Sequence, residues 1–271
     1  MPREDNAPSQ PALDPAAPKQ SAHQPFSWSR PWIDVWRWVN TPDQRWWFWP
    51  LTIGLLAVIF LHPLDAWLAG LIPSGDKLPG DVRREWLALQ QFGAISSIVI
   101  IAVIVWLQTP HLRARLCDAL LAVGAAALTS WILKMLIGRV RPRFEDPDRF
   151  LGPFGSYPIV HSGGDKPVLM HAWEFWKRDA ASLWSMPSNH TAAAVALAAA
   201  LGAMYPRLRP LFYTLAAIVA AGRLVFDAHY LTDIIAGATV GLVVGTALTR
   251  WQWGSKLYDK LTGKPETRWL A

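Results

Sequence analysis

Residues 223–245 read RLVFDAHYLTDIIAGATVGLVVG, a polar start followed by an apolar run. The run carries Gly237, Gly241 and Gly245 at four-residue spacing, which places the three glycines on one face of a helix. Glycines on one face allow the backbone of a neighbouring membrane helix to approach closely. The stretch therefore predicts an apolar helix that packs tightly against a partner and carries polar residues in its first turns.

Apolar segments of similar length recur along most of the chain. Each is near the ~20 residues that span the hydrocarbon core of a bilayer. The first contains His62, Pro63 and Asp65, so we expect it to kink or to leave the hydrocarbon there. The pattern predicts an all-α fold, a bundle of six transmembrane helices. The segments are residues 48–70, 91–108, 116–138, 190–205, 210–227 and 230–250.

Composition favours a membrane protein over a soluble or nucleic-acid-binding one. Hydrophobic residues make up 52% of the 271 and charged residues 17%, below the ~25% usual for soluble domains. The seventeen Trp residues suit membrane–water interfaces. The net charge of +6 lies in short loops and tails beside the apolar segments. Positive loops on the cytoplasmic side of a membrane account for this charge, so no nucleic-acid partner is expected. The single cysteine, Cys117, excludes an internal disulfide.

Four further segments are predicted around and within the membrane domain, residues 50–251. Residues 1–25, rich in Pro, Ala, Gln and Asp, predict a disordered tail. Residues 26–49 interleave Trp with Arg and predict an interfacial segment, with a nucleic-acid stacking patch as the weaker alternative. Residues 252–271 form a basic C-terminal tail. Turn signals and aromatic residues in the loop 143–186 predict partial order, as a lid or an interfacial flap.

The distribution of arginine predicts the topology. Six spans put both termini on one side, and the positive-inside rule assigns that side to the cytoplasm. The protein is then a multi-pass protein of the inner (plasma) membrane, and its three polar motifs lie at the periplasmic, extracytoplasmic face. The cations in the short inner loops are Arg113, Arg115, Arg207 and Arg209.

The first motif is Lys134, six residues, Arg141 and Pro142. Two cations seven apart lie two helical turns apart, so we expect both on one face of the third span, with Pro142 ending the helix. A lysine within a membrane span is costly and indicates a functional site. The alternative is that Lys134 extends to the interface.

The second motif, Pro187-Ser188-Asn189-His190, opens the fourth apolar segment. The N-terminus of a helix presents free N–H groups and the positive end of the helix dipole, which together bind anions. Ser188 can cap the helix or donate a hydrogen bond, and His190 falls in the first turn. The alternative is a simple helix cap beside an exposed histidine.

The third motif combines Arg223, His229 and Asp233. A carboxylate four residues from a histidine on the same helical face can hold one ring nitrogen and leave the other free to attack. Arg223 can reach the same oxyanion. The alternatives are a structural His–Asp pair or a metal site that includes Asp227. Three nearby cations disfavour the metal, so no metal ligands are predicted.

Together the three motifs resemble those of the type 2 phosphatidic acid phosphatase (PAP2) superfamily, which also includes bacterial acid phosphatases and vanadium haloperoxidases. The family pattern is Lys, six residues, Arg-Pro; then Pro-Ser-Gly-His; then Ser-Arg, five residues, His, three residues, Asp. The first motif matches in full. Asn189 replaces the Gly of the second, and Gly222 replaces the Ser of the third. The resemblance covers residues 50–250 and points to the integral-membrane lipid phosphatase branch.

The resemblance also implies roles for the motif residues. His229 is the nucleophile that forms a phosphohistidine, Asp233 orients it, and His190 is the general acid for the leaving group. No metal or cofactor is implied, because cations take the place of a metal. The phosphate-binding residues by this resemblance are Lys134, Arg141, Ser188, Asn189 (through its backbone N–H) and Arg223.

The expected function is therefore hydrolysis of a lipid phosphate or pyrophosphate, with membrane lipids as surroundings. The substrate candidates are undecaprenyl pyrophosphate, phosphatidylglycerophosphate, phosphatidic acid and lipid A. One alternative is a lipid phosphotransferase of the same fold, and another is a non-catalytic transporter or scaffold. A haloperoxidase is disfavoured because those compared are soluble. The sequence leaves the oligomeric state open.

Overall fold

The protein is seen in a computed structural model, which describes residues 31–72, 74–160 and 166–263. The predicted tail 1–25 lies outside the described residues, as does the end of the tail 252–271. The chain divides into two units, residues 1–41 and 42–271. In the first unit, helix α1 spans Pro31–Val39, within the segment predicted to be interfacial. Residues 45–49 of that segment belong instead to the first helix of the second unit.

The second unit is mainly helical. Its longer helices lie within or close to the predicted apolar segments, and a short hairpin lies in the long loop. The elements are α2 (Arg45–Leu61), α3 (Asp65–Leu71), α4 (Gly80–Leu89), α5 (Ile95–Gln108), α6 (Arg113–Ile137), β1 (Ser156–Val160), β2 (Pro167–His171), α7 (Asn189–Met204), α8 (Arg209–Val225), α9 (Leu231–Trp251) and α10 (Trp253–Thr262).

Four helical segments among the described residues are long and apolar enough to cross a membrane, and a bent pair would make five. The bent pair, Gly80–Gly93 and Ile95–Gln108, turns by 59°. Helix α7 is apolar but has only 16 residues. The predicted count of six spans therefore stays a prediction. Near His62, where a kink or an exit from the hydrocarbon was expected, a 3-10 turn at His62–Leu64 lies between α2 and α3.

The alanine-rich helix α7 lies at the centre and packs against α6, α8 and α9. The glycines of α9 face it so closely that an added Cβ would lie 2.4 Å from the Ser188 carbonyl oxygen at Gly237 and 2.3 Å from that of Ala192 at Gly241. At Gly245 the Cβ would lie 2.8 Å from Ala196 Cα. The predicted close approach at these glycines is confirmed.

Among its described residues, the long loop 143–186 contains a β-hairpin. Strands β1 and β2 pair antiparallel, from Ser156 opposite His171 to Val160 opposite Pro167. Residues 161–165 between them lie outside the described part. The hairpin and the segments around it enclose a small core of their own, which includes Val140, Leu151, Ile159, Met170, Ala172 and Leu183.

The prediction that Lys134 and Arg141 share one helical face is wrong. Helix α6 ends at Ile137, and Gly138 caps it in the left-handed region with φ +61°. Glycine adopts this conformation without steric cost. A Cβ at Gly138 would also lie 2.9 Å from the Cβ of Ala172. Arg139 then forms an isolated bridge to Phe150, and the chain carries Arg141 away from the helix axis.

Candidate active site

Lys134, in the last turn of α6, is 5% exposed and connects the first motif to the segment before α7. Its Nζ donates hydrogen bonds to the carbonyl oxygens of Trp184 (2.5 Å) and Ser185 (3.4 Å). The ammonium group also lies within electrostatic range of Arg141, Arg223 and Asp233. Lys134 is therefore directed into the space between the motifs and does not extend along the helix to the interface.

The second motif contacts the third through its backbone. Ser188 N donates to the carbonyl oxygen of Asp233 at 2.9 Å. Ser188 occupies the N-cap position of α7, but its Oγ accepts from Thr191 Oγ at 3.0 Å and makes no side-chain cap. His190, in the first turn, is exposed, and the charges of Arg223, Lys134 and Arg141 act on it.

His229 lies in the loop before α9 rather than in the helix, which corrects the prediction that His229 and Asp233 share a helical face. Helix α9 begins at Leu231 with Tyr230 as N-cap, and Asp233 Oδ2 accepts the Tyr230 N–H at 2.9 Å. The pair nevertheless meets, with His229 Nδ1 3.7 Å from Asp233 Oδ2. That separation is longer than a hydrogen bond. Because Nδ1 faces the carboxylate, Nε2 is the ring nitrogen on the side away from Asp233.

Burial keeps the His229 ring neutral. The side chain is 2% exposed, and this burial lowers the pKa of His229 to about 3, against the opposing effect of the Asp233 carboxylate. A neutral imidazole with a carboxylate at Nδ1 is the form in which a histidine acts as a nucleophile.

Arg139, which the sequence reasoning did not select, holds Asp233 from the other side. Its Nη1 donates to Asp233 Oδ1 at 2.7 Å and to Thr232 Oγ at 2.8 Å, and its Nη2 donates to Asp65 Oδ2 at 2.7 Å. The guanidinium is fully buried, with its carbon 4.3 Å from the ring centroid of Tyr230. One arginine thus bridges two buried carboxylates, a geometry that lysine cannot reproduce.

Asp65 and Ser185 complete the environment of Asp233. Asp65, at the start of α3, accepts the backbone N–H of Thr232 at 3.0 Å as well as the Thr232 hydroxyl. Ser185 Oγ donates to Asp233 Oδ2 at 2.5 Å. Two of these residues could have been found from the sequence. Asp65 is a charged residue within the first apolar segment, and Arg139 is a further cation between Lys134 and Arg141. Ser185 carried no signal.

Two half-buried arginines in the site have a buried donor without a partner among the described residues. Arg141 Nε and Arg223 Nε are buried and have no hydrogen-bond partner among the described residues, and the Asn189 Oδ1 acceptor is in the same state. Burial and the charge of Arg223 lower the pKa of Arg141 to about 10. A buried donor without a partner costs about 1–3 kcal/mol. Two such arginines close together therefore favour the binding of an anion between them.

The side chain of Gln90 lies where the family serine would stand in place of Gly222. A Cβ on Gly222 would lie 2.9 Å from Gln90 Oε1 and 3.2 Å from Gln90 Cβ. The same Oε1 accepts from Arg223 Nη1 at 3.5 Å. The buried amide of Gln90, from the turn between α4 and α5, therefore occupies the space next to residue 222 and contacts the cation there.

The described residues contain no group of three His, Cys, Asp or Glu side chains placed to hold a metal ion. Asp227, which the sequence offered as a second carboxylate, lies in the loop after α8 with φ +48°.

A profile of the PAP2 superfamily matches residues 115–257, more than half of the chain, and the chain belongs to that superfamily. The match includes all three motifs. No curated protein matches the chain.

A solved structure shares the fold. It is the crystal structure of a transmembrane PAP2-type phosphatidylglycerolphosphate phosphatase from Bacillus subtilis, with a TM-score of 0.50 and 19% sequence identity. The similarity covers 74% of this chain and 93% of that chain. The predicted helical fold of the membrane PAP2 type is therefore confirmed, and the protein is an integral membrane protein.

Proposed function

We propose that the protein is a membrane lipid phosphatase, which hydrolyses a phosphomonoester or pyrophosphate of a lipid through a phosphohistidine. The observation that carries this proposal is the pair of buried, unpaired Arg141 and Arg223 donors in the site that contains His229. Family membership supports phosphatase chemistry. The site residues, their roles and the absence of a metal requirement belong to this proposal.

In the first step, His229 Nε2 attacks the phosphorus atom in line with the leaving oxygen. The N–P bond forms, the P–O bond to the lipid breaks, and His190 donates a proton to the departing oxygen. Asp233 faces Nδ1 of His229 and stabilises the positive charge that develops on the ring. Asp233 is itself held by Arg139 and Ser185.

In the second step, water attacks the phosphohistidine. His190, now neutral, accepts a proton from the water as the new O–P bond forms and the N–P bond breaks. Inorganic phosphate leaves, and both histidines return to their starting protonation states. The exposure of His190 at the start of α7 supports this role, because the leaving group and the water approach from the open side of the site.

The phosphoryl oxygens acquire their charge stabilisation from fixed cations and N–H groups. Lys134, Arg141 and Arg223 supply the positive charges, and Ser188 with the first backbone N–H groups of α7 supplies donors at a helix N-terminus. Such preorganised electrostatic stabilisation is the main contribution that proteins make to phosphoryl transfer.

A lipid substrate is proposed because the site lies at the ends of apolar, membrane-spanning helices. The similar Bacillus subtilis protein is described as a phosphatidylglycerolphosphate phosphatase. The substrate candidates are undecaprenyl pyrophosphate, phosphatidylglycerophosphate, phosphatidic acid and lipid A.

The proposal extends to topology. We place the active site at the periplasmic face of the inner membrane and both termini in the cytoplasm, with residues 26–49 at the interface and the loop 143–186 outside. A fluorescent reporter that matures only in the cytoplasm, fused after residue 271, should be bright. A dark fusion together with an active periplasmic reporter at the same position would reverse the orientation.

The test of function is phosphate release by the purified protein in detergent with EDTA present, over a panel of the four lipid classes. We expect release from at least one lipid and a loss of at least about 1,000-fold in His229→Ala, since a nucleophile has no substitute. Arg223→Ala should lose activity, whereas Arg178→Ala, an exposed arginine on the same side, should not.

Other outcomes identify the alternatives. Activity that requires a metal would contradict the proposed mechanism. Phosphate found on an added acceptor lipid, with none in solution, would identify a phosphotransferase. Lipid flux that survives in His229→Ala and depends on Lys134, Arg141 and Arg223 would identify a transporter.

A further inference from the structure

Two cavities lie at the end of the bundle opposite the candidate active site. Helix α6 carries Lys134 in its last turn and Arg115 in its first, roughly 28 Å apart at 1.5 Å per residue. Helix α9 carries Asp233 in its first turn and Arg250 in its last, roughly 26 Å apart. These spacings approach the ~30 Å of the hydrocarbon core. Arg115 and Arg250 therefore lie at the opposite membrane interface.

The first cavity lies between the ends of α6, α7 and α9 and has a volume of about 680 Å³. That volume is within the range of pockets that bind small molecules, roughly 300–1,000 Å³. Its wall combines cations with polar and apolar side chains. The residues include His111, Arg115, Met204, Tyr205, Arg250 and Gln252.

The positive charge in this cavity comes from Arg115 and Arg250. Neither Arg115 nor Arg250 forms an ion pair with a described carboxylate. Asp118 acts on Arg115 electrostatically, but both of its oxygens accept from Ser255, from N at 2.9 Å and from Oγ at 2.5 Å. The amide oxygen of Gln252, in its hydrogen-bonding orientation, accepts from both terminal nitrogens of Arg115 at 3.1–3.2 Å and so fixes the guanidinium.

The second cavity, about 890 Å³, adjoins the first at Arg250 and is mainly apolar. It lies where α2 and α6 both pack on α9, and it extends to Thr129, roughly 21 Å along α6 from Arg115. The Arg250 guanidinium carbon lies 5.5 Å from the ring centroid of Trp46. The lining includes Asp43, Trp46, Ala125, Thr129, Val244 and Trp251.

We propose that the two cavities bind one anionic phospholipid, with its phosphate on Arg115 and Arg250 and one acyl chain in the groove beside Ala125 and Val244. Unpaired cations in a basic pocket between helices suit a lipid phosphate. The adjoining apolar groove reaches the depth of the hydrocarbon, which a soluble anion would not fill. Tryptophan at the rim is typical of the interface.

The bound lipid would connect the ends of α6, α7 and α9, the helices whose other ends carry the candidate active site. A ligand that binds the folded protein alone raises its stability in proportion to the logarithm of ligand concentration over Kd. The lipid site lies at the opposite end of these helices from the candidate active site. Its occupancy can be measured from the increase in stability, without turnover.

The test is a titration of delipidated full-length protein in detergent with phosphatidylglycerol or phosphatidylcholine. Phosphatidylglycerol has neither a phosphomonoester nor a pyrophosphate, so it is not consumed by the proposed reaction. Native mass spectrometry counts the bound lipid, and the thermal midpoint follows stability. We expect one phosphatidylglycerol per chain and a rise in midpoint, with phosphatidylcholine much weaker.

The double variant Arg115→Gln/Arg250→Gln should bind about thirtyfold more weakly, because each interfacial cation contributes about fivefold in affinity. Ala125→Phe should block the groove while leaving both arginines in place. Arg207→Gln, an exposed arginine at the same end that lines neither cavity, is the matched control and should bind as wild type. Lys134→Ala should also retain binding, which separates this site from the active site.

Equal binding of the two lipids, or wild-type binding by the double variant, would overturn the proposal. If the double variant does not fold, the single variants Arg115→Lys and Arg115→Gln replace it. Lysine should keep more affinity than glutamine, and equal affinity would count against the site. A midpoint shift by inorganic phosphate that equals the shift by lipid would assign a free-anion site and reject the lipid.

Discussion

Arg139 and Asp233 form a buried ion pair, with Arg139 Nη1 2.7 Å from Asp233 Oδ1 and neither side chain accessible to solvent. The same guanidinium donates to Asp65 Oδ2, also at 2.7 Å. Asp233 presents its other oxygen to His229, so the direction of that oxygen depends on Arg139. In the proposed mechanism Arg139 is a positioning residue, which acts on the nucleophile through a carboxylate.

Substitution of Arg139 should affect both stability and turnover. Arg139→Met leaves two buried carboxylates without their shared cation, and removal of one partner of a buried pair costs about 3–5 kcal/mol. Arg139→Lys keeps the charge but cannot bridge both carboxylates. We expect it to fold with a lower thermal midpoint and to lower kcat by about tenfold or more with little change in KM, since Arg139 does not contact substrate.

Arg178→Lys is the matched control, because Arg178 is exposed. A rise in KM at constant kcat in Arg139→Lys would contradict a positioning role and would indicate direct contact with substrate.

Gly222 and Gln90 should be energetically coupled. Gly222→Ser restores the family residue, yet its Cβ would displace the amide of Gln90 that contacts Arg223. We expect Gly222→Ser to lower kcat/KM by about tenfold, and Gln90→Ala to have a similar effect. The double variant should lose less than the sum of the two, as measured by a double-mutant cycle.

Gly124→Ser controls for the loss of a helical glycine, because nothing lies within 4 Å of an added Cβ at Gly124. Strict additivity in the Gly222–Gln90 cycle would show that Gln90 does not compensate for the missing serine.

Alanine substitutions at two glycines of α9 should affect stability alike but turnover differently. A Cβ at Gly237 would lie 2.4 Å from the Ser188 carbonyl oxygen, so Gly237→Ala displaces the start of α7 in the site. At Gly245 the conflict is with Ala196, farther along α7. Both alanine variants should lose about 1–3 kcal/mol of stability. Turnover below the unfolding midpoint should fall in Gly237→Ala and persist in Gly245→Ala. Equal loss of turnover in both would count against this assignment.

The buried ring of His229 should make stability depend on pH. Burial lowers the pKa of His229 in the folded protein to about 3, against about 6.5 in an unfolded chain. Between these values the unfolded chain binds a proton that the folded protein excludes, so the free energy of unfolding decreases as pH falls from about 6.5 towards 3.

His229→Gln removes this titration, so the thermal midpoint of the variant should decrease less steeply than that of wild type over the same range. Above about pH 6.5 the two curves should run parallel. Parallel curves over the whole range would show that the folded protein admits the proton as readily as the unfolded chain.

The local predictions from sequence succeeded where a residue's neighbours along the chain decide its structure. Apolar length placed α5–α9 close to their observed bounds, and the first predicted segment, residues 48–70, covers both α2 and α3. The four-residue glycine spacing located the face of α9 that packs on α7. Two local predictions were wrong for reasons that are themselves local: Gly138 ends α6 before Arg141, and His229 precedes the first turn of α9.

The sequence by itself determined the membrane class, the superfamily and the three motifs, because hydrophobic length and motif spacing are properties of contiguous residues. Tertiary structure alone decided which partners hold the motifs. Arg139 meets Asp65 across 74 residues and Asp233 across 94, and Gln90 meets Arg223 across 133. Such contacts depend on how helices pack side by side. A buried charge requires a partner, and only the packing of the helices determines which residue that partner is.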